Sequence, residues 1–221
     1  MPNEYLGCIF FGTILGYNFL KYFRVFYSRD FHRNRYNSIL IISILAAIGF
    51  FFFFLGLNRS IQIHLLISGI AVLIYPLLRK FGWLKLFLVS IVVTYVTVYI
   101  PFQSINGLPL DFYICLIQRF LIVISLLIPF EILDSKTDAE SMNTLPQLFG
   151  INRAKIFGIL LLFPFMVLEF LKPNPSYSVI PITIITGLFI QFTTLNRNQY
   201  YTSFWVESLP VFWLGLLILF Q

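Results

Sequence analysis

Charge is what this chain has least of. Asp, Glu, Lys and Arg make up 11% of its 221 residues, against about 25% in a soluble domain. Apolar residues reach 59%. A soluble fold of this length has no interior large enough to hide that surface, so much of it must face lipid. Histidine and cysteine are scarce too, with two of each. His32 lies in a basic loop without a second histidine at metal-ligand spacing, and His64 reads as a satisfied structural histidine. Cys8 and Cys115 sit inside apolar runs and read as small buried hydrophobes, with nothing in the sequence to support a disulfide. There is no phosphate-binding glycine loop, and no nucleophile–base pair is legible from spacing. The N-terminus lacks a basic stretch followed by a small-residue cleavage site, so its first apolar run is expected to stay in the protein. The one compositionally biased stretch, Phe50–Phe54, reads as lipid-facing bulk.

What the chain does have is long apolar runs. A membrane span needs ~20 mostly apolar residues. Eight are expected, at 5–27, 38–57, 61–78, 84–102, 112–133, 155–172, 178–195 and 203–220. The predicted fold is an all-α, polytopic transmembrane bundle forming a single domain over residues 1–221. The bilayer is its first partner. The net charge of +6 raises nucleic acid as a partner, but the basic residues cluster in the short gaps, where membrane orientation explains them better.

Those gaps alternate. With the helix ends beside them, the odd gaps carry twelve of the fifteen Lys and Arg residues, Lys21, Arg24, Arg79, Lys80, Lys85, Lys136 and Lys155 among them. The even gaps carry Arg59 and Lys172, and Arg119 lies within a span. The positive-inside rule makes the odd gaps cytoplasmic and puts both termini outside. The expected location is the cytoplasmic membrane of a bacterium.

The chemistry-bearing stretch is Glu131-Ile-Leu-Asp134-Ser-Lys-Thr-Asp138, where the fifth apolar run meets a polar loop at the cytoplasmic face. Its three carboxylates fall within an arc of roughly 60° on one helix face. Carboxylates crowded at a membrane edge repel one another and lose hydration, so something must compensate. Mg²⁺ is one candidate, with Glu131, Asp134 and Asp138 as ligands. A local cation is another. The plain alternative is a helix end whose acids sit in water. Elsewhere, Arg119 is an intramembrane cation expected to have a structural partner. Glu169 is expected at the interface beside Lys172. Trp83, Trp205 and Trp213 suit interfacial anchoring or bundle packing.

The acidic stretch, followed by Thr144-Leu145-Pro146, Gly150 and Lys155, resembles the second aspartate-rich motif of UbiA-type membrane prenyltransferases. Glu131 stands where that motif usually has Asp. Tyr75-Pro76-Leu-Leu-Arg79-Lys80 is similar to the family's tyrosine-then-basic motif. The resemblance implies a helix bundle around a lipid-open cavity. It also implies transfer of an isoprenyl group from its diphosphate to a lipophilic acceptor with Mg²⁺ bound at two acidic motifs. On that footing Asp134, Asp138 and Lys21 are candidate catalytic residues, and Asn18, Tyr75, Arg79, Lys80 and Lys155 candidate substrate-binding ones. The first acidic motif departs from the family: Asn18 is present, but Tyr22 and Phe26 replace both acids, and with eight spans expected against the family's nine, the family's first helix is expected to be absent. Lys21, with Arg24, is expected to supply part of the positive charge that metal supplies in the family. The leading expectation is a divergent prenyltransferase. The alternative is a degenerate member that binds an isoprenoid, another lipid or a protein partner without transfer. An ion-coupled transporter is the third class.

Overall fold

The structure is a computed structural model that describes residues 3–27, 37–78, 81–103, 109–136, 142–198 and 200–219, with the backbone alone for 23–27. Among these residues every regular element is helical. In chain order they are α1 (Asn3–Tyr27), α2 (Asn37–Leu55), α3 (Arg59–Leu78), α4 (Trp83–Phe102) and α5 (Leu110–Asp134). Then come the short α6 (Leu145–Phe149), α7 (Ile151–Glu169), α8 (Val179–Phe192) and α9 (Tyr201–Leu219).

Six of these helices, α2, α3, α4, α5, α7 and α9, are long and apolar enough to cross a membrane. The chain is thus an all-α polytopic bundle whose surface suits lipid. Large apolar side chains such as Phe52, Leu66, Phe163 and Leu214 remain exposed, which hydrocarbon tolerates and water does not. The other two expected spans fall short of that description. In α1 the 25-residue length suffices, but Asn18 and Lys21 interrupt its apolar run. In α8 the 14 residues extend roughly 21 Å, less than the ~30 Å of a hydrocarbon core.

The chain divides into two compact units, residues 1–77 and 78–221. In the first, α1 packs on α2 through glycine slots. A Cβ on Gly7 would sit 2.8 Å from the Phe53 ring, and one on Gly49 would sit 2.9 Å from the Phe11 ring. Phe11 and Phe53 stack with centroids 5.9 Å apart. Each glycine therefore admits an aromatic ring from the facing helix, the small-residue logic of helix association in lipid. Part of the Phe50–Phe54 run is accordingly interhelical. Phe50 lies close to Gly12, while Phe51 and Phe52 are exposed.

In the second unit α5 is central, packed against α4, α7 and α8. It buries Ile122, Ile124, Ser125, Ile128 and Ile132. Helix α7 comes close at Gly158, whose carbonyl accepts a hydrogen bond from Ser125 Oγ at 3.0 Å. A Cβ there would already be 3.0 Å from Ile128 Cγ1. Tyr201 Oη donates to the Phe189 carbonyl at 2.7 Å, joining the start of α9 to α8. Helix α4 is not uniform: Tyr95–Tyr99 forms a π turn, across which the two tyrosine rings stack at 4.8 Å. Such wide turns occur mostly as single bulges, often beside functional sites.

Candidate functional site

The acidic end of α5 holds a buried ion pair. Lys85 Nζ lies 2.9 Å from Glu131 Oε1, with the two side chains 4% and 7% exposed. Glu131 faces inward because it shares the buried stripe of Ile128 and Ile132. Lys85 reaches it from the first turn of α4. That turn is held by Gly82, where φ is +24° and the backbone of Met142 and Asn143 presses close. A Cβ on Gly82 would collide with the Met142 carbonyl oxygen and with the Asn143 oxygen. The loop entering Thr144-Leu145-Pro146 is therefore laid directly on the turn that delivers Lys85. Thr144 is fully buried and caps α6, with Gln147 Oε1 accepting its N–H at 3.0 Å. Gly150 then takes φ +85°, a left-handed value that separates α6 from α7 and suits glycine.

The candidate residues divide between the two units. Glu131, Asp134 and Lys155 belong to the second. Asp134 ends α5 and is exposed, so the two acids lie one turn apart in very different surroundings. Lys155 donates to the Gln191 carbonyl at 2.8 Å, a cation on the last turn of α8 that complements its dipole. Asn18, Lys21 and Tyr75 belong to the first unit. Asn18 Nδ2 donates to Ser43 Oγ at 3.0 Å, linking α1 to α2. Lys21 Nζ donates to Tyr17 Oη at 3.2 Å and lies 5.1 Å and 5.8 Å from the ring centroids of Tyr17 and Tyr22. Tyr75 is half-buried near the end of α3. Arg79, Lys80 and Asp138 lie outside the described residues, as does the side chain of Arg24.

The cation on Glu131 is thus Lys85, a residue that sequence reasoning credits only to membrane orientation. Its signal was present: it is the one charge inside Trp83-Leu-Lys85-Leu-Phe-Leu, after which nothing polar occurs until Ser90. The pair also bears on Mg²⁺. With an ammonium at 2.9 Å, one oxygen of Glu131 is already engaged. Asp134 is exposed at the helix end. Among the described residues no group of three His, Cys, Asp or Glu side chains is placed to hold a metal. Asp138, the third expected ligand, lies outside the described residues.

The chain matches no protein-family model, no curated protein and no solved structure.

A second polar cluster lies at the opposite end of α5. Glu169, 6% exposed, receives Gln118 Nε2 at 2.9 Å, Lys172 Nζ at 2.6 Å and the Ser176 N–H at 3.0 Å. This holds the end of α7 and the loop after it onto α5. Gln118 also donates to the Phe165 carbonyl at 3.0 Å. Arg119, the next residue, stands outside this network. Its guanidinium carbon lies 4.9 Å from the centroid of Trp213, which packs edge-on against Phe165. Among the described residues no carboxylate comes within ion-pair distance of Arg119. A cation–π contact is worth about 0.5–2 kcal/mol. Placing Arg at a span's centre costs about 2.5–3.5 kcal/mol on insertion scales and more in simulation. The ring alone does not balance the charge.

Proposed function

We propose that this chain is a UbiA-like integral membrane protein, a catalytically degenerate member that binds an isoprenoid or other lipid without transferring it. One observation carries the reading: Lys85 on Glu131. In the motif that Glu131-x-x-Asp134-x-x-x-Asp138 resembles, the acids meet metal. Here a fixed ammonium takes that part for the first of them. A neutralised pair has no charge to spare for a diphosphate, whereas an uncharged polar head suits it. The loss of both acids at Tyr22 and Phe26 points the same way. On this reading α1 crosses the bilayer with the other six, α8 does so together with the non-helical residues that follow it, both termini are outside, and the Glu131 end faces the cytoplasm.

A second reading, a divergent prenyltransferase using Asp134 and Asp138, is favoured by the retained Thr144-Leu145-Pro146 turn. Thr144 is buried and ordered as a helix cap, and Asp134 stays exposed at the site's edge.

Binding separates them. The purified protein in detergent is titrated with an isoprenyl alcohol and with its diphosphate, with and without Mg²⁺, alongside Asp134→Asn. Alcohol binding indifferent to Mg²⁺ and to the substitution supports the degenerate reading. Diphosphate binding that needs Mg²⁺ and disappears in Asp134→Asn overturns it in favour of the enzyme.

A further inference from the structure

We infer that Arg119 and Trp213 form a binding site for a singly charged oxyanion, at the end of α5 away from Glu131. The site is independent of the function proposed above. Arg119 and Glu131 are twelve residues apart on one helix, roughly 18 Å along its axis.

The cavities come first. One of about 180 Å³ is bounded by α4, α5, α9 and the α7–α8 connection. A second of about 150 Å³ is bounded by α4, α5, α8 and α9. Arg119 and Trp213 line both. The π turn of α4 supplies a wall of each, Val98 to the first and Thr97 to the second. The first has room for roughly six waters at ~30 Å³ each, enough for a carboxylate or phosphate group with part of its hydration.

Charge selects the occupant. The charged side chains lining the first cavity are Arg119, Lys172 and Glu169, two positive and one negative, which leaves one positive charge. Glu169 forms its ion pair with Lys172 and not with Arg119, and it also accepts from Gln118 and Ser176. Water alone leaves that charge unbalanced, whereas a singly charged anion cancels it.

Two further groups point to an acceptor. Trp213 Nε1 and Thr186 Oγ1 are shut off from solvent, and among the described residues no hydrogen-bond partner reaches either. Thr186 is 1% exposed and lines the second cavity. Buried donors left unmet are rare and costly. An oxyanion beside Arg119 accepts from such groups, as a carboxylate or phosphate oxygen does. Beside these, Gln118, Ser176 and Ser178 line the first cavity together with Val179 and Leu217, while the rest of the second, Leu126 and Leu209 among it, is apolar apart from Thr97. This surface suits an anion that arrives on a hydrocarbon chain and equally a small ion that partitions there.

The test is thermal unfolding of the full-length protein in a neutral detergent with three additions: phosphatidylglycerol, phosphatidylcholine and inorganic phosphate. The expected result is a rise in Tm of several degrees with phosphatidylglycerol and none with phosphatidylcholine. That rise is lost in Arg119→Gln and kept in Arg119→Lys. An equal rise with inorganic phosphate assigns the anion to solution; a rise with the lipid alone assigns it to a headgroup. Equal response of the wild type to charged and zwitterionic lipid overturns the site, as does an undiminished response in Arg119→Gln. Should Arg119→Gln not fold, a Trp83→Phe/Trp205→Phe protein leaves Trp213 as the sole indole. Its emission must then shift on adding the same anions, and an unchanged spectrum overturns the proposal.

Discussion

Lys85 and Glu131 neutralise one another inside the helix bundle, 2.9 Å apart and almost wholly removed from solvent. Desolvating two ions offsets most of what their attraction gains, so such a pair is strongly coupled rather than strongly stabilising. Removing one partner strands a buried charge. Lys85→Met and Glu131→Leu are each expected to cost about 3–5 kcal/mol, while the double substitution falls within about 1 kcal/mol of the wild type. Unfolding in detergent across the four-member cycle measures this. Additive losses would contradict the pairing.

Gly82 is the position where backbone, not side chain, decides whether Lys85 reaches its partner. Alanine there collides with the Met142 and Asn143 backbone oxygens, and neither is a flexible side-chain tip. Gly82→Ala is expected to destabilise by at least the ~1–3 kcal/mol of a typical overpacked site. Gly69 offers the control: nothing lies within 4 Å of a Cβ there. Mid-helix in α3, Gly69→Ala should stabilise by roughly 0.5–1 kcal/mol through helix propensity. Paired thermal melts of the two variants read the contrast, and equal effects would refute the close approach at Gly82.

The packing of α1 on α2 predicts a rescue. Gly7→Ala drives a methyl to 2.8 Å from the Phe53 ring, a loss of about 1–3 kcal/mol. Trimming the ring with Phe53→Leu should recover most of it in the double variant, though alone it costs stability by opening a void. A Tm for the double variant below both singles would rule out this interdigitation.

Local chemistry was legible where residue type alone carries it. Apolar runs gave the helices, and the carboxylate stripe on α5 announced that something must compensate it. The compensating group was harder to see. Lys85 is forty-six residues from Glu131, and only the antiparallel packing of α4 on α5 brings them together. Spacing along one helix reports its own face and says nothing of the facing one. Arg119 shows the same limit from the other side. The sequence marks it as a costly intramembrane cation in need of a partner. That the partner is an indole ninety-four residues on, and not a carboxylate, follows from how α9 returns across α5. In α8 a mostly apolar run produced a helix of only 14 residues, because the backbone becomes extended at Thr193 and the helix itself stops short of a bilayer's thickness.

Glu169 ties the far cluster to the proposed anion site. Its carboxylate accepts from Gln118, Lys172 and Ser176. An amide in its place keeps one acceptor oxygen and turns an NH₂ group toward at least one of those donors. The substitution Glu169→Gln is expected to cost about 1.5–3 kcal/mol, the worth of hydrogen bonds to a charged group. It also removes the negative charge lining the first cavity, raising the excess there from one positive charge to two. The same variant should therefore be less stable without ligand and yet show a larger rise in Tm with phosphatidylglycerol than the wild type does. A loss of stability with an unchanged or smaller response would mean that Glu169 braces the loop but does not set the charge that Arg119 presents.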